Sequence, residues 1–243
     1  MPTLRLDKLL CDSSALSRSE ARIAIRTGRV SVDGAAERRP ERKLDPAAHS
    51  VTLDGAPLRW AEYVYYLLNK PAGVLTATED AAQRTVLDLF PAEIRKSGIF
   101  PVGRLDKDAA GLLLLTNDGA FAHELMSPRK AVPKIYRALT DPPMAEGDIP
   151  AFAEGVILGD GARCAPAKLE LLPGTECRIT VTEGRYHQVK RMVAARGKRV
   201  RSLERIAIGG LRLPDGLDRG AYARLEPGTL MKSVFQSSTS VHA

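Results

Sequence analysis

The chain has only three cysteines, Cys11, Cys164 and Cys177, too few, too far apart and odd in number for a disulfide framework or a C-x-x-C metal site. Nowhere do about 18 apolar residues run together, so no membrane span is expected. The opening "MPTLRLDKLLCDS" carries charges inside its apolar patch, which argues against a secretory signal. The four histidines, His49, His123, His187 and His242, are scattered, so no metal cluster is expected. A G-x-G-x-x-G fingerprint, a P-loop, an H-E-x-x-H pair and a G-x-S-x-G elbow are all missing, as are repeats and low-complexity blocks. These absences point to a soluble protein of a reducing, cytoplasmic setting that works without a cofactor or metal.

What is present is a core and a charge imbalance. With 243 residues, 44% of them hydrophobic, the chain can build one good core and a small second domain. Net charge is +7, and Arg185 to Arg205 holds eight Lys/Arg against the single acid Glu204, an excess as large as that of the whole chain. Such a concentration suits a polyanion, because neutralised phosphates release counterions; the plainer reading is a solvated basic face.

The first 60 residues read as two short helices and a hairpin. In "LRLDKLL", Leu6, Leu9 and Leu10 share a helical face, with Arg5 and Lys8 off it. "SRSEARIAIRTG" opens on a capping box, Ser17 with Glu20, and closes on Gly28 where a left-handed cap residue is expected. Ala21, Ala24 and Ile25 face inward, while Arg18, Arg22 and Arg26 recur every four residues as a stripe. Arg29 then leads into Val30 and Val32, which alternate ahead of an Asp33-Gly34 turn. This pattern resembles the S4 RNA-binding module. The resemblance implies RNA contact through Arg5, Lys8, Arg18, Arg22, Arg26 and Arg29, in a domain covering residues 1–59.

Beyond a linker at "APLRWAEY", strands mix with helices. "YVYYLLNKPAGVL" reads as a strand stopped at Lys70-Pro71, and Gly111 to Thr116 as a buried strand followed by a short helix in "AFAHELM". Further strands are expected in "PKIYRALT", "AKLELL" and "CRITVTEG", and a helix in "YHQVKRMVAARG". The tail from residue 233 to 243 is polar enough to be disordered. The chemistry left open to such a chain is that of a carboxylate in a basic setting, and Asp106 in "GRLDKDAAGLLLLTNDG" is the obvious candidate for acid/base or nucleophilic work.

That segment resembles the central motif of the ribosomal RNA pseudouridine synthases. "NKPAG" at Asn69 to Gly73, the K-x-Y pair of Lys134 and Tyr136, and "EGRYHQVKRM" at Glu183 to Met192 match in order. The S4 module, the Lys after "HQV" and "SPRK" resemble the small-subunit pseudouridine synthase A branch. The resemblance implies an α+β protein, a small S4 domain joined to a catalytic domain over residues 60–232 whose mixed, mainly antiparallel sheet is flanked by helices.

The roles it implies are specific. Asp106 would be the essential residue, acting at the sugar C1′, through elimination at C2′ or by addition to the ring. Lys190 would pair with it, more loosely than a two-pronged Arg could. Tyr136 would stack on the base and help with the C5 proton, or else be an ordinary core tyrosine. Arg104 would hold the extruded nucleotide, or bind Asp108 in a loop salt bridge. Arg185, His187 and Gln188 would face phosphate or substrate, with His187 equally able to be structural, and Lys70 and Pro71 would shape the strand end. The expected partner is 16S rRNA or a small-subunit assembly intermediate, met by a monomer. Large-subunit rRNA, or a catalytically silent assembly factor, are the alternatives.

Overall fold

A computed structural model describes residues 3–14, 16–58 and 60–235. The chain divides into two compact units, Met1–Tyr63 with Pro91–Gly98, and Val64–Phe90 with Ile99–Ala243.

In the first unit β1 (Leu4–Arg5) leads into α1 (Leu6–Ser13), and α2 (Arg18–Arg26) follows. Ser17 caps α2 in the expected way: its hydroxyl accepts the Glu20 N–H, and the Glu20 carboxylate accepts the Ser17 N–H. Leu6, Leu9 and Leu10 pack on Ala21, Ala24 and Ile25, the faces that the helical spacing picks out. Strands β2 (Val30–Val32), β3 (Ala35–Ala36), β5 (Val51–Leu53) and β6 (Ala56–Pro57) form an antiparallel sheet in the order β3-β2-β5-β6, while β4 (Lys43–Leu44) pairs with β1. Asp33 and Gly34 take positive φ, 51° and 83°, the turn geometry that matches the strand twist. The segment expected to be a linker is partly structured: Ala56–Pro57 pairs with β5, and Leu58 and Trp60 pack on this core. Apolar side chains decide this, since Leu58 and Trp60 gain more from the module's core than from water; Arg59 lies outside the described residues. A short helix, α3 (Ala92–Arg95), also belongs to this unit.

The second unit is a nine-stranded sheet. Its strands are β7 (Tyr65–Lys70), β8 (Phe100–Val102), β9 (Ala110–Thr116), β10 (Lys134–Asp141), β11 (Lys168–Leu171), β12 (Glu176–Val181), β13 (Arg199–Ile208), β14 (Leu211–Arg212) and β15 (Tyr222–Leu225). The main path runs β11-β12-β10-β13-β9-β7-β15; β8 pairs with β9 and β14 with β13. Every pairing is antiparallel except β9 with β13, so the sheet is mixed and mainly antiparallel, as the α+β expectation has it. Leu112 to Leu115 are all buried, which explains why the run does not alternate: both faces of β9 are covered. Helices α4 (Gly119–Met126) and α7 (Pro227–Phe235) supply Phe121, Leu125, Leu230 and Val234 to the core over Leu67, Leu112 and Leu114. Two further helices, α5 (Ile149–Glu154) and α6 (Gln188–Ala195), complete the unit. Residues 233–235, expected in a disordered tail, end α7, because Leu230 and Val234 bury one helical face; 236–243 lie outside the described residues.

The parallel crossing of β9 and β13 requires Gly111. Its φ is +102°, and a Cβ there would stand 2.2 Å from the Arg205 carbonyl oxygen. Gly111→Ala should therefore lose at least about 2 kcal/mol of stability, from left-handed strain and the backbone clash together. A urea midpoint equal to wild type would refute the close approach.

In the first unit a buried acid carries the matching constraint. Asp7 is fully buried and accepts from Arg5 Nε and Nη2 at 3.0 and 2.9 Å and from Arg22 Nε at 3.1 Å. The Arg5 hydrogen bonds, opposed by burial and helped by Arg22, hold its pKa down at about 2, against 3.8 in an ordinary aspartate. A depressed carboxylate pKa adds stability above the unfolded value, which is lost as pH falls toward the folded one. Asp7→Asn should cost roughly 1–2 kcal/mol at neutral pH, discounted for the half-exposed arginines, and the gap to wild type should close between about pH 4 and 2. Urea unfolding across that range is the measurement, and a gap that ignores pH would disprove the assignment.

Candidate active site

Asp106 stands in the loop between β8 and β9, and three parts of the strand-and-turn segment 70–76 hold that loop. Lys70, at the end of β7, is wholly buried, and its ammonium donates to the carbonyls of Pro71, Asp106, Lys107 and Ala109 at 3.0, 3.2, 3.3 and 2.8 Å. Gly73 N–H donates to the Lys107 carbonyl at 2.7 Å. The Thr76 hydroxyl donates to the Leu105 carbonyl at 2.7 Å and accepts the Leu105 N–H at 3.2 Å. Ala109 N–H closes the turn on the Asp106 carbonyl. Burial pushes the Lys70 ammonium down to about 8, against the pull of Asp108 and Asp106. The "NKPAG" and "GRLD" motifs, remote in sequence, are thus one hydrogen-bonded unit.

The Asp106 side chain meets two groups from the start of α6, His187 just before it and Lys190 in its first turn. Lys190 Nζ lies 3.0 Å from Asp106 Oδ2 and 2.5 Å from Asp108 Oδ1, and His187 Nε2 lies 3.4 Å from Asp106 Oδ1. Burial disfavours the Lys190 charge, but its hydrogen bonds to Asp108 and Asp106 outweigh that and raise its pKa; the same bond lowers that of Asp108. A lysine here bridges two carboxylates as a point charge, where an arginine would clamp one. His187 has φ 49°, outside the helical region, so α6 begins at Gln188 rather than at Tyr186 as the periodicity suggests.

Around Asp106 opens a cleft of about 510 Å³, within the usual range for a small-ligand site. Arg104, Tyr136, Arg185, His187 and Gln188 line it, together with Lys134, Tyr186 and Arg205. Arg104 is exposed, and it is Lys190, not Arg104, that binds Asp108. Gln188 is an exception among the expected substrate contacts. It is buried, its amide nitrogen donates to Glu183 Oε1 at 2.8 Å, and its oxygen accepts the Arg185 N–H at 2.9 Å, so its hydrogen-bonding capacity goes to shaping the turn. Arg185 itself binds Glu183 and remains 41% exposed.

Two cleft residues escape the sequence reading. Tyr186 is 77% exposed and stacks on the His187 ring at 3.8 Å, an aromatic left uncovered at the rim. Arg205 is buried beside β9 and donates from Nε to the Leu112 carbonyl at 2.8 Å. Tyr186 lies inside a quoted motif, but only its exposure singles it out. Arg205 merges into a basic segment whose charges are mostly paired: Arg191 with Asp160, Arg196 and Lys198 with Asp148, Arg201 with Asp141. That segment is therefore not the free polycation its composition suggests, because segments distant in sequence bring acids to it.

The chain matches the family model for RNA pseudouridylate synthase over residues 64–195 and that for the S4 domain over 4–48. It is 40% identical to ribosomal small subunit pseudouridine synthase A of Escherichia coli, over 91% of this chain and 96% of that one. The chain belongs to the RNA pseudouridine synthase family. It is an isomerase acting on RNA. The RNA pseudouridine synthase YtzG of Bacillus subtilis is 42% identical over 91% of this chain and 95% of its own length. A crystal structure of a pseudouridylate synthase superposes with a TM-score of 0.67 at 35% identity, covering 95% of this chain and 99% of that one.

In the S4 domain of this synthase the expected RNA contacts divide in two. Arg5 and Arg22 bind Asp7, Lys8 binds Asp12 and Arg29 binds Asp54, whereas Arg18 and Arg26 stand exposed on α2. Among the described residues no group of three or more His, Cys, Asp or Glu could hold a metal, and no helix is long and apolar enough to cross a membrane.

The clamp makes a direct test of the active-site loop. Lys70→Met removes the ammonium from four carbonyls, of which those of Asp106 and Lys107 keep a backbone N–H, and should destabilise the second unit by roughly 2–4 kcal/mol. Amide hydrogen exchange at residues 105–109 should accelerate. Unchanged exchange there would show that the loop holds its shape without the ammonium.

Proposed function

We propose that the protein converts a uridine of 16S rRNA to pseudouridine, with Asp106 as the nucleophile on a flipped-out nucleotide. The observation that carries this is the Asp106 carboxylate, which opens on one cleft with Tyr136 in the wall and is held by the Lys190 ammonium 3.0 Å away. A uridine inside folded RNA must leave its stack before a carboxylate can reach its sugar, and a cleft of this size can receive it. Asp106 bonds to C1′ as the N1–C1′ bond breaks. The uracil turns, C5 bonds to C1′, Asp106 is released, the C5 proton passes to solvent and N1 takes one up. No electrons are gained or lost.

The Lys190 ammonium orients the carboxylate for this attack, and the rigid turn on Lys70 keeps it from collapsing onto its own backbone. Tyr136 stacks on the base and stands near C5, where the proton is lost. Arg104 and Arg185, exposed at the cleft, face the flanking phosphates with His187, and Tyr186 offers a flat surface to a neighbouring base, a contact worth about 1–3 kcal/mol. The S4 domain adds backbone contacts through Arg18 and Arg26, with Arg5, Lys8, Arg22 and Arg29 in reach of phosphate from within their ion pairs. The small-subunit target is supported by the relatives named for it, the E. coli protein above and a Haemophilus influenzae protein 35% identical over 95% of this chain.

Tritium release from C5-labelled uridine in small-subunit rRNA and its assembly intermediates tests this reading. Wild type should release label, and Asp106→Asn should slow release by at least about 10³-fold while binding the RNA within roughly threefold of wild type. Label released equally by both proteins would remove Asp106 from the chemistry. Release from large-subunit rRNA alone would redirect the substrate, and silence of wild type on every ribosomal RNA would favour a binding factor.

A further inference from the structure

The reaction proposed above leaves a question of charge. When the N1–C1′ bond breaks heterolytically, its electron pair stays on the uracil, which becomes an anion delocalised from N1 onto O2 and O4. Asp106 accounts for the sugar side, and nothing assigned so far accounts for the ring.

Two cations of the cleft have no structural employment that explains them. Lys134 is 7% exposed and its ammonium forms no hydrogen bond or ion pair with any described residue, although it lines the cleft. Arg205 is 4% exposed; its Nε binds the Leu112 carbonyl, but Nη2 has no partner among the described residues. Lys134 and Tyr136 lie two apart on β10 and so point to one face. A register shift between Ile135 and Tyr136 sets Arg205 of β13 opposite Tyr136. Lys134, Tyr136 and Arg205 therefore share one patch of sheet in the cleft wall, with buried Ala109, Val181 and Leu203 around it.

The Lys134 ammonium keeps an opening onto the cleft, but holding two largely buried cations side by side without an anion is costly, and a site shaped only for stability would remove one of them. Burial and the Arg205 charge both lower the Lys134 pKa, the direction expected where no counter-anion is resident. We propose that Lys134 and Arg205 form a cationic floor that stabilises the uracil anion between cleavage of N1–C1′ and formation of C5–C1′, so that the cleft is complementary to the charge that develops in the reaction rather than to neutral uridine. This deepens the reading of Asp106 and rests on it. A backbone phosphate would be the other anion of suitable chemistry. It is the poorer fit: flanking phosphates belong at the rim, beside exposed Arg104 and Arg185, and these two cations are more than nine-tenths buried.

The test uses the full chain, with Lys134→Met and Lys134→Arg, on a ribosomal RNA that wild type modifies. Single-turnover conversion at saturating protein, RNA affinity by filter binding at several salt concentrations, and Tm are measured together. The proposal expects Lys134→Met to convert at least about 10²-fold more slowly, with affinity within roughly threefold and an unchanged salt slope. Tm should be equal to wild type or higher, since an uncompensated buried charge has been removed, and Lys134→Arg should recover part of the rate. Unchanged conversion by Lys134→Met overturns the proposal and leaves the Asp106 reading intact. Weakened affinity with a salt slope smaller by about one, and full rate at saturation, makes the site a phosphate contact instead. A rate loss that merely tracks a fall in Tm makes Lys134 structural. If wild type itself forms no pseudouridine, the underlying reading fails, and the proposal with it.

Discussion

The active site depends on one buried ammonium. Lys70 sits where no carboxylate pairs with it, and it is held instead by four carbonyl dipoles, three of them from the loop that carries Asp106. Carbonyls can satisfy an ammonium without competing for the cleft's other charges, whereas a carboxylate at the same spot would draw Lys190 inward. The cost of burying the charge is visible in a pKa brought down to about 8, and it is offset by a turn whose backbone has nowhere else to go. The Asp106 side chain can then point at Lys190 and His187 while its own carbonyl is engaged behind it. Precision at the carboxylate comes from backbone held by strands β7 and β9, not from the loop itself.

Local rules carried much of the architecture. The Ser17–Glu20 box, the i, i+3, i+4 apolar faces and the Asp33-Gly34 turn need only neighbouring residues, so the two helices and the β2–β3 hairpin of the first unit are legible, whereas β1, β4, β5 and β6 pair with segments farther off or lie where a linker is expected. The leucine run of β9 and the alternation of β12 are equally plain. What local rules miss is whatever depends on contact between distant segments. Strand β13 reads as a basic tract because Arg199 and Arg201 point outward, Arg201 being answered by Asp141 of β10 while the strand's own Glu204 answers Arg137 of β10, and its inward Leu203, Ala207 and Ile208 fall late in the run. Helix α7 has a single narrow apolar edge, visible only once Phe121 and Leu67 are known to lie beneath it.

The site shows the same division. The motifs that resemble the family mark Asp106, Tyr136 and Lys190; Asp106 and Tyr136 line the cleft, and Lys190 reaches Asp106 from α6. The partnership of Lys190 with Asp108, the spent amide of Gln188 and the bare face of Tyr186 are properties of folded geometry. Gly111 is the sharpest case, since nothing in "AAGLLLL" marks a glycine whose missing side chain admits the backbone of a strand 94 residues later, where Arg205 donates to the next carbonyl of β9.

Charge is the thread that joins these features. A net +7 chain could have left its cations free on the surface for RNA, yet many are tied to acids: Arg5 and Arg22 to Asp7, Arg29 to Asp54, Arg196 and Lys198 to Asp148. Paired cations on the surface still attract phosphate at long range, but their geometry is set by the protein and not by the ligand. Against that background a buried cation without a partner is the informative one, because folding alone gives no reason to keep it. Lys134 and one arm of Arg205 are of that kind, and they line the cleft that Asp106 also lines, where the proposed reaction would seat the base. The lining of the cleft thus already carries the sign opposite to the charge that the proposed reaction would create.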